Sequence, residues 1–555
     1  MARVSGSRWY IETTAIAPTK ATTATTTITN RNHNNDNNDH TTNITIANNN
    51  HFSTNASNNN HTNTINMNHT ATPSVIMYRY IAASEILGCW LCPKGSPKCC
   101  LYAHPTATGG PSAVGVGVGG CKHSKAKGVG AGLTLEFCQR GEGVKWKTRT
   151  VVLLHAAPEV VLAWHHALWA LLRGLPQRPR RLLVIINPVG GRKRAHHIYA
   201  RKVAPLFQRA AIQAQVVQTE HQGHGRALVE KHALDRGRVD GVVVVGGDGL
   251  VNEVVTGLLL RAASDAGVDP HDPEASLPPT MIRVGIIPGG STDATCHGTH
   301  GTSDVTTAAL HIIMGDSRSV DVAAVHGQGQ LLGVATTMVS YGYFGDLLQS
   351  SERWRKLGPS RYIVSGVLQV IRNRSYEGQV RVRYPATPLA QPDDARPCSQ
   401  HCGVCSKASR AAPLPGEWHQ FSGRWSVLTS AVASCSCRLT PHGVSPSAHL
   451  GDGCADLILV SGGSRFRILS YLYRTSCTGN SLSLGHVDVH RVQELQFTPK
   501  VSGPQSSWNC DGEQLNEPAL AIKIHCQRLK LFCRGVEHRT DDSPKSAPKT
   551  KTASP

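Results

Sequence analysis

The stretch GVVVVGGDGLVNEVVTGLL, residues 241–259, joins two periodicities at a glycine turn. Residues 242–245 are a β-branched run of strand length. After Gly246-Gly247-Asp248-Gly249 the apolar residues come in pairs four apart, Leu250/Val251, Val254/Val255 and Leu258/Leu259, which is the spacing of one helix face. The same order returns where residues 182–186 run into NPVGG and residues 284–287 into PGGST, and Val216-Val217 leads into TEHQGHG between the first two. Strands alternating with helices predict a parallel α/β sheet, and in such sheets ligands bind beyond the carboxyl ends of the strands, where all these turns fall. Past about Asp321 the runs shorten and alternate (VATTMVS, QVRVRY, DLILV, HVDVHRVQELQF, LAIKIHC), which predicts a mainly antiparallel β-rich lobe with few helices.

Glycines let the free N–H groups at a helix start approach a polyphosphate closely. Asp248 in such a turn would repel phosphate unless it serves an acceptor hydroxyl or a Mg²⁺, both of which phosphoryl transfer requires; a turn-forming or N-capping aspartate is the competing reading. Asn187-Pro188-Val189-Gly190-Gly191, with Arg192, Lys193 and Arg194 after it, is a second phosphate-side turn or a solvated helix start. Pro288-Gly289-Gly290-Ser291-Thr292-Asp293 is a third, offering N–H groups and hydroxyls. Each alone is a weak signal, but three at successive strand ends make a site.

GGDG together with NP-x-GG and PGGST resembles the diacylglycerol-kinase catalytic domain of the lipid kinases. Longer blocks, LLVIINPVGG, IYARKVAPLF, GIIPGGSTD, GTSDVTTAALHIIMGDS, CSQHCGVC, SPSAHLGDGCADLIL and SSWNCDGE, resemble the ceramide kinases within that group. The resemblance is dense over residues 181–535 and fainter over 81–179, where these kinases carry a pleckstrin-homology domain. It implies a two-lobe lipid kinase that uses ATP and Mg²⁺ to phosphorylate the primary hydroxyl of ceramide, giving ceramide 1-phosphate in sphingolipid metabolism. Sphingosine or diacylglycerol as acceptor is the alternative. A catalytically dead lipid-binding scaffold would be expected to have lost Asp248 or a glycine turn, and all are present.

Carried over by motif, the resemblance makes Asp248 the proton acceptor, with Gly246, Gly247, Gly249 and Asp346 on the acceptor side. It lays Asn187, Pro188, Val189, Gly190, Gly191, Thr219, Glu220, His221, Gln222, Gly223, Glu253, Gly290, Ser291 and Thr292 against ATP. Arg355 and Arg361 of RWRKLGPSR are phosphate-side, and Asp511, Gly512 and Glu513 close over the nucleotide. Two arginines six apart can clamp a polyphosphate if the Gly-Pro between them bends the chain; surface placement competes, as does a hairpin turn for Asp511 and Glu513. Gly289 departs from the pattern, which has alanine there. The resemblance also implies calcium as an activator, and a cytoplasmic enzyme held peripherally at the Golgi or plasma membrane.

The 555 residues predict two to four folded units, and 57 basic against 37 acidic residues give a net charge of +20, which calls for an anionic partner. Residues 81–181 carry +9 of it and residues 182–533 carry +7. No aromatic-basic RNA motif, zinc finger or basic helix supports nucleic acid, so a lipid surface and ATP phosphates are the expected partners. Residues 1–80 read as a disordered tail, since residues 21–70 hold 17 Asn, 13 Thr and 5 His. Residues 81–179 read as a membrane-binding module closed by an amphipathic helix, 180–325 as the catalytic α/β lobe, 326–537 as the β-rich lobe, and 538–555 as a second disordered tail. The opening residues show no apolar signal core, so the 17 cysteines are expected to be reduced. Cys398-x3-Cys402-x2-Cys405 invites a zinc reading with His401 or the Cys435/Cys437 pair completing the set, but the expectation is structural thiols without a metal. Residues 464–474, SRFRILSYLYR, are basic and amphipathic; they suit calmodulin or a membrane face, or a strand or buried helix of the second lobe.

Overall fold

The structure, a computed structural model, describes residues 8–15, 25–31, 44–46, 77–92, 131–141, 143–155, 157–191, 193–231, 239–386, 398–400, 402–410 and 414–537. It divides into two compact units, Met1–Gln139 with Thr148–Pro176, and Arg140–Lys147 with Gln177–Pro555.

In the first unit the strands Ile86–Cys92, Ala131–Arg140 and Trp146–His155 form a three-stranded sheet. Helix Pro158–Gly174 follows and buries Val161, Trp164, Leu168 and Leu172; Leu171, which the apolar spacing sets on the same face, is only half-buried. Trp169 adds a hydrogen bond from its indole N–H to the Cys89 carbonyl at 3.0 Å. The basic, glycine-rich residues 109–130, the residues after 537 and most of the Asn/Thr tail lie outside the described residues. Within the N-terminal tail, Arg8–Ala15, Thr25–Arg31 and Ile44–Ile46 are strands that join Met77–Ala82 in an antiparallel sheet. Composition predicts disorder throughout, but these stretches hold Ile, Thr, Trp and Tyr, which favour strand.

In the second unit four strands run parallel in the order Arg283–Pro288, Gly241–Gly246, Arg181–Ile186, Gln213–Gln218. The valines and isoleucines of the three inner strands are almost wholly buried, as expected for a parallel sheet covered on both faces. Register aligns Val245 with both Ile186 and Ile287, so the three glycine turns leave the sheet at one level.

The residues read as a second lobe are mainly antiparallel. Their closing strand, Leu520–Leu531, pairs antiparallel with Arg318–Gly327 and Glu494–Pro499 and parallel with Arg283–Pro288. One fifteen-stranded sheet therefore runs through both expected lobes. Tyr341, Tyr376, Trp425, Phe497 and Trp508 fill the core there; the Tyr341 and Trp508 rings stand 4.9 Å apart, and such a pair contributes about 0.5–1.5 kcal/mol beyond its buried area. Among the described residues four α-helices interrupt these strands: Tyr343–Ser351, Arg361–Arg372, Gly403–Arg410 and Arg465–Cys477. Among the described residues no helix is long and apolar enough to cross a membrane.

Candidate active site

Gly246 ends its strand, Gly247 is extended, and Asp248 opens the helix Asp248–Asp265. The Gly289 N–H donates to the Gly246 carbonyl at 2.9 Å, and the Asn187 N–H to the Val245 carbonyl at 3.1 Å. These bonds hold the three turns so close that side chains are excluded. A methyl on Gly290 would lie 2.5 Å from Gly247 Cα, and one on Gly191, where φ is +56°, would lie 2.7 Å from the Gly289 oxygen. Gly289 differs, because a methyl there meets nothing nearer than 3.5 Å. Gly289→Ala should therefore leave stability unchanged or raise it by about 0.4–1 kcal/mol through the unfolded chain. Gly290→Ala should cost about 1–3 kcal/mol. Urea unfolding of the two variants checks this; equal costs would contradict the packing.

The Asp248 carboxylate accepts from the Thr295 N–H at 2.9 Å and the Ala294 N–H at 3.1 Å, the first residues of helix Ala294–His300. It thus caps the helix after the third turn and not its own. Burial raises its pKa, opposed by those two N–H groups and aided by the charge of Asp511. Asp293 sits in the left-handed region at φ +52°, with its carboxylate accepting from the Gly290 N–H at 2.8 Å. Burial, then the charge of Asp248, pushes its carboxyl up to about 6. Asp293, a carboxylate whose proton affinity the neighbouring Asp248 raises, stands beside the N–H groups of the glycine turns and suits a Mg²⁺ bound to polyphosphate. Read from the sequence, Asp293 closes the third motif but has no role; its signal is its place directly after PGGST.

Asn187 Oδ1 accepts from the Val189 and Gly190 N–H groups at 3.0 and 2.9 Å, which shapes the NPVGG turn and leaves Val189 69% exposed. Arg192 lies outside the described residues. The Thr219 N–H donates to the Ile186 carbonyl at 2.9 Å, and the Glu220 N–H to His224 Nδ1 at 3.0 Å, with the His221 and His224 rings stacked. Glu253 ties two motifs together. Its carboxylate accepts from Gly223 N–H at 2.9 Å and Gly225 N–H at 3.0 Å, so it holds the residue 219–223 turn in shape. Ser291 is exposed, and Thr292 and Gly249 are half-buried.

From the second lobe, Glu513 reaches the GGDG turn, since its Oε1 lies 2.9 Å from where a methyl on Gly249 would be. Asp511 does not face outward. At φ +47° it is buried, accepting from the N–H groups of Thr336 (2.6 Å), Thr337 (3.0 Å) and Met338 (2.8 Å) and from both threonine hydroxyls. The hairpin-turn reading therefore describes it, with Gly512 at φ +94° donating its N–H to Asn509 Oδ1. Asp346 is likewise buried, accepting from Tyr376 OH and from Ser506 Oγ at 2.6 Å, and burial raises its pKa. Arg361 pairs with Glu352 at 3.0 Å and lies over the Tyr362 ring. The side chain of Arg355 lies outside the described residues. Asp346, Arg361 and Asp511 thus have their charged atoms engaged inside the lobe, by partners that no local pattern announces.

The diacylglycerol kinase catalytic domain family matches residues 181–325, the span that carries all three turns. Ceramide kinase of Homo sapiens is 37% identical over 446 residues, covering 73% of this chain and 83% of that protein. The chain belongs to the ceramide kinase family. Ceramide kinase 1 of Caenorhabditis elegans is 32% identical over 413 residues, 72% of this chain and 74% of that one. A solved diacylglycerol kinase from Bacillus anthracis str. Sterne, 15% identical, aligns over 64% of this chain and 97% of its own with a TM-score of 0.40. As a member of the ceramide kinase family this protein is a lipid kinase with ATP as its phosphoryl donor.

Proposed function

We propose that the protein transfers the γ-phosphoryl group of ATP to the primary hydroxyl of ceramide, forming ceramide 1-phosphate and ADP. The observation that carries this reading is the backbone contact of three glycine turns around Asp248; the names of the relatives supply the acceptor. The turn N–H groups receive the phosphates, a task suited to helix starts at strand ends. Asp248 accepts the hydroxyl proton as the acceptor oxygen bonds to the γ-phosphorus and the bond to the β-phosphate oxygen breaks. Burial raises its pKa, which makes it a stronger base near neutral pH. Mg²⁺ arriving with ATP would be held by Asp293 and supplies neutralisation of the phosphate charge.

A face of the second lobe supports peripheral attachment to anionic lipid, as does the basic composition of residues 81–179. Helix Arg361–Arg372 exposes Ile363, Val367 and Ile371, each more than half exposed, and helix Arg465–Cys477 exposes Phe466, Leu469 and Tyr473. The two helices meet where Arg465 Nε donates to the Ile371 carbonyl at 3.2 Å. An apolar stripe flanked by Arg372, Arg465, Arg467 and Arg474 is suited to the membrane interface. Calmodulin suits residues 464–474 less well, because Ile468 and Tyr471 are built into the core and a partner that wraps the helix would have to extract them.

Purified protein is assayed with labelled ATP against ceramide, sphingosine and diacylglycerol, in detergent micelles and in anionic vesicles. Ceramide is expected to be the best acceptor; if it is the poorest, the specific assignment fails and the lipid-kinase class stands. Val367→Asp with Leu469→Asp should keep micelle activity and lose about tenfold in vesicles. Unchanged vesicle activity would remove the membrane role of that face.

A further inference from the structure

We infer that Cys398, Cys402, Cys405 and His449 form a structural zinc site. Cys405 lies in the helix Gly403–Arg410 and Cys402 directly precedes it, so the short spacing turns the sulfurs toward one point. The fourth ligand comes from far along the chain, in the SPSAHLGDG segment, and not from the residues nearest in sequence. His401 lies outside the described residues. Cys435 Sγ donates to the Thr337 carbonyl at 3.2 Å, and Cys437 Sγ pairs with the Thr440 hydroxyl at 3.2 Å, so neither joins the group.

The four ligand atoms lie within 4.8 Å of one another. Cys398 and Cys405 sulfurs are 3.4 Å apart, and Cys402 Sγ is 3.3 Å from His449 Nδ1. Around a tetrahedral zinc with bonds of about 2.0–2.3 Å, donor atoms stand roughly 3.5–3.8 Å apart. Small adjustments would close the set. Cys398, Cys405 and His449 are buried and Cys402 is half-buried. Three thiolates and an imidazole, with no carboxylate and no open position, select a borderline-soft metal in a structural role.

Charge supplies a second observation. Three thiolates and one imidazole around Zn²⁺ carry a net −1, and the buried Arg318 donates from Nη2 to Cys398 Sγ at 3.1 Å, placing its positive charge against the cluster. The Leu450 N–H points to the same sulfur at 3.5 Å. Gln527 Nε2 binds the Cys405 carbonyl at 2.9 Å and the Gly451 carbonyl at 2.7 Å, while the Val536 N–H donates to the Cys398 carbonyl at 3.0 Å. Closing the site therefore ties two loops to the final strand and the residues after it.

The test uses the full chain, made without a polyhistidine tag and dialysed into metal-free buffer. Elemental analysis should find about one zinc per chain, and Co²⁺ in its place should give the thiolate charge-transfer and tetrahedral bands of a Cys3His site. His449→Ala should lose the metal and lower the melting temperature; His449→Cys should keep it as a four-sulfur site. The three cysteines should resist thiol reagents until a chelator is added. Folded protein with far less than stoichiometric zinc and freely reactive thiols, or with Cys398 and Cys405 joined as a disulfide, would overturn the assignment. So would a His449→Ala variant that binds zinc as the parent does.

Discussion

Asp248→Asn should lower the turnover of phosphoryl transfer by about 10²–10⁴-fold, the usual range for removing a general base. The amide has the size of the carboxylate, so the glycine turns keep their contacts. One amide oxygen can still accept from Thr295 or Ala294, and the other N–H loses its partner, at a cost of about 1–3 kcal/mol if it stays dry. Removing a negative charge beside the phosphates should leave the KM for ATP unchanged or lower it. Steady-state kinetics with both substrates varied therefore separate two roles. A large fall in kcat without a rise in the ATP KM marks a proton acceptor. A fall below about tenfold, with a lowered melting temperature, would leave Asp248 as only the cap of helix Ala294–His300.

Asp511→Ala should destabilise the second unit by about 3–5 kcal/mol, because one buried charged acceptor serves three backbone N–H groups and two hydroxyls, and its loss leaves them in the dry interior. The hairpin formed by Trp508–Cys510 and Glu513–Leu515 would lose its tie to residues 336–338. Glu513, which overlies Gly249, would lose its position with it, so activity falls through disorder of the hairpin. Urea unfolding at fixed pH gives the stability change, and Asp511→Asn, which keeps one oxygen acceptor, should recover part of it. Stability equal to the parent, combined with a raised KM for ATP, would instead make Asp511 a direct nucleotide ligand.

The glycine turns are legible in sequence because their requirement is local: a β-branched run, a turn that excludes side chains, then apolar pairs at helix spacing. The fates of the charged residues are not. Glu253, Asp346, Arg361 and Asp511 all carry motif-level reasons to meet a nucleotide or acceptor, and each also has a protein partner that no motif names, at Gly223, Tyr376, Glu352 and Thr337. Helix Arg361–Arg372 is a further feature that the alternating runs around it do not announce, and it leaves Ile363, Val367 and Ile371 exposed.

By itself the sequence determined the parallel α/β framework, the position of the three turns at strand ends, the place of Asp248 and the family, since these depend on residue types within a few positions of one another. Tertiary structure alone decided that one sheet passes through both expected lobes, that Glu513 comes to rest over Gly249, and that His449 joins Cys398, Cys402 and Cys405. The physical reason is that a charge or a metal ligand becomes available only when its hydrogen-bond partners and neighbours are settled, and these come from chain segments whose separation no periodicity encodes.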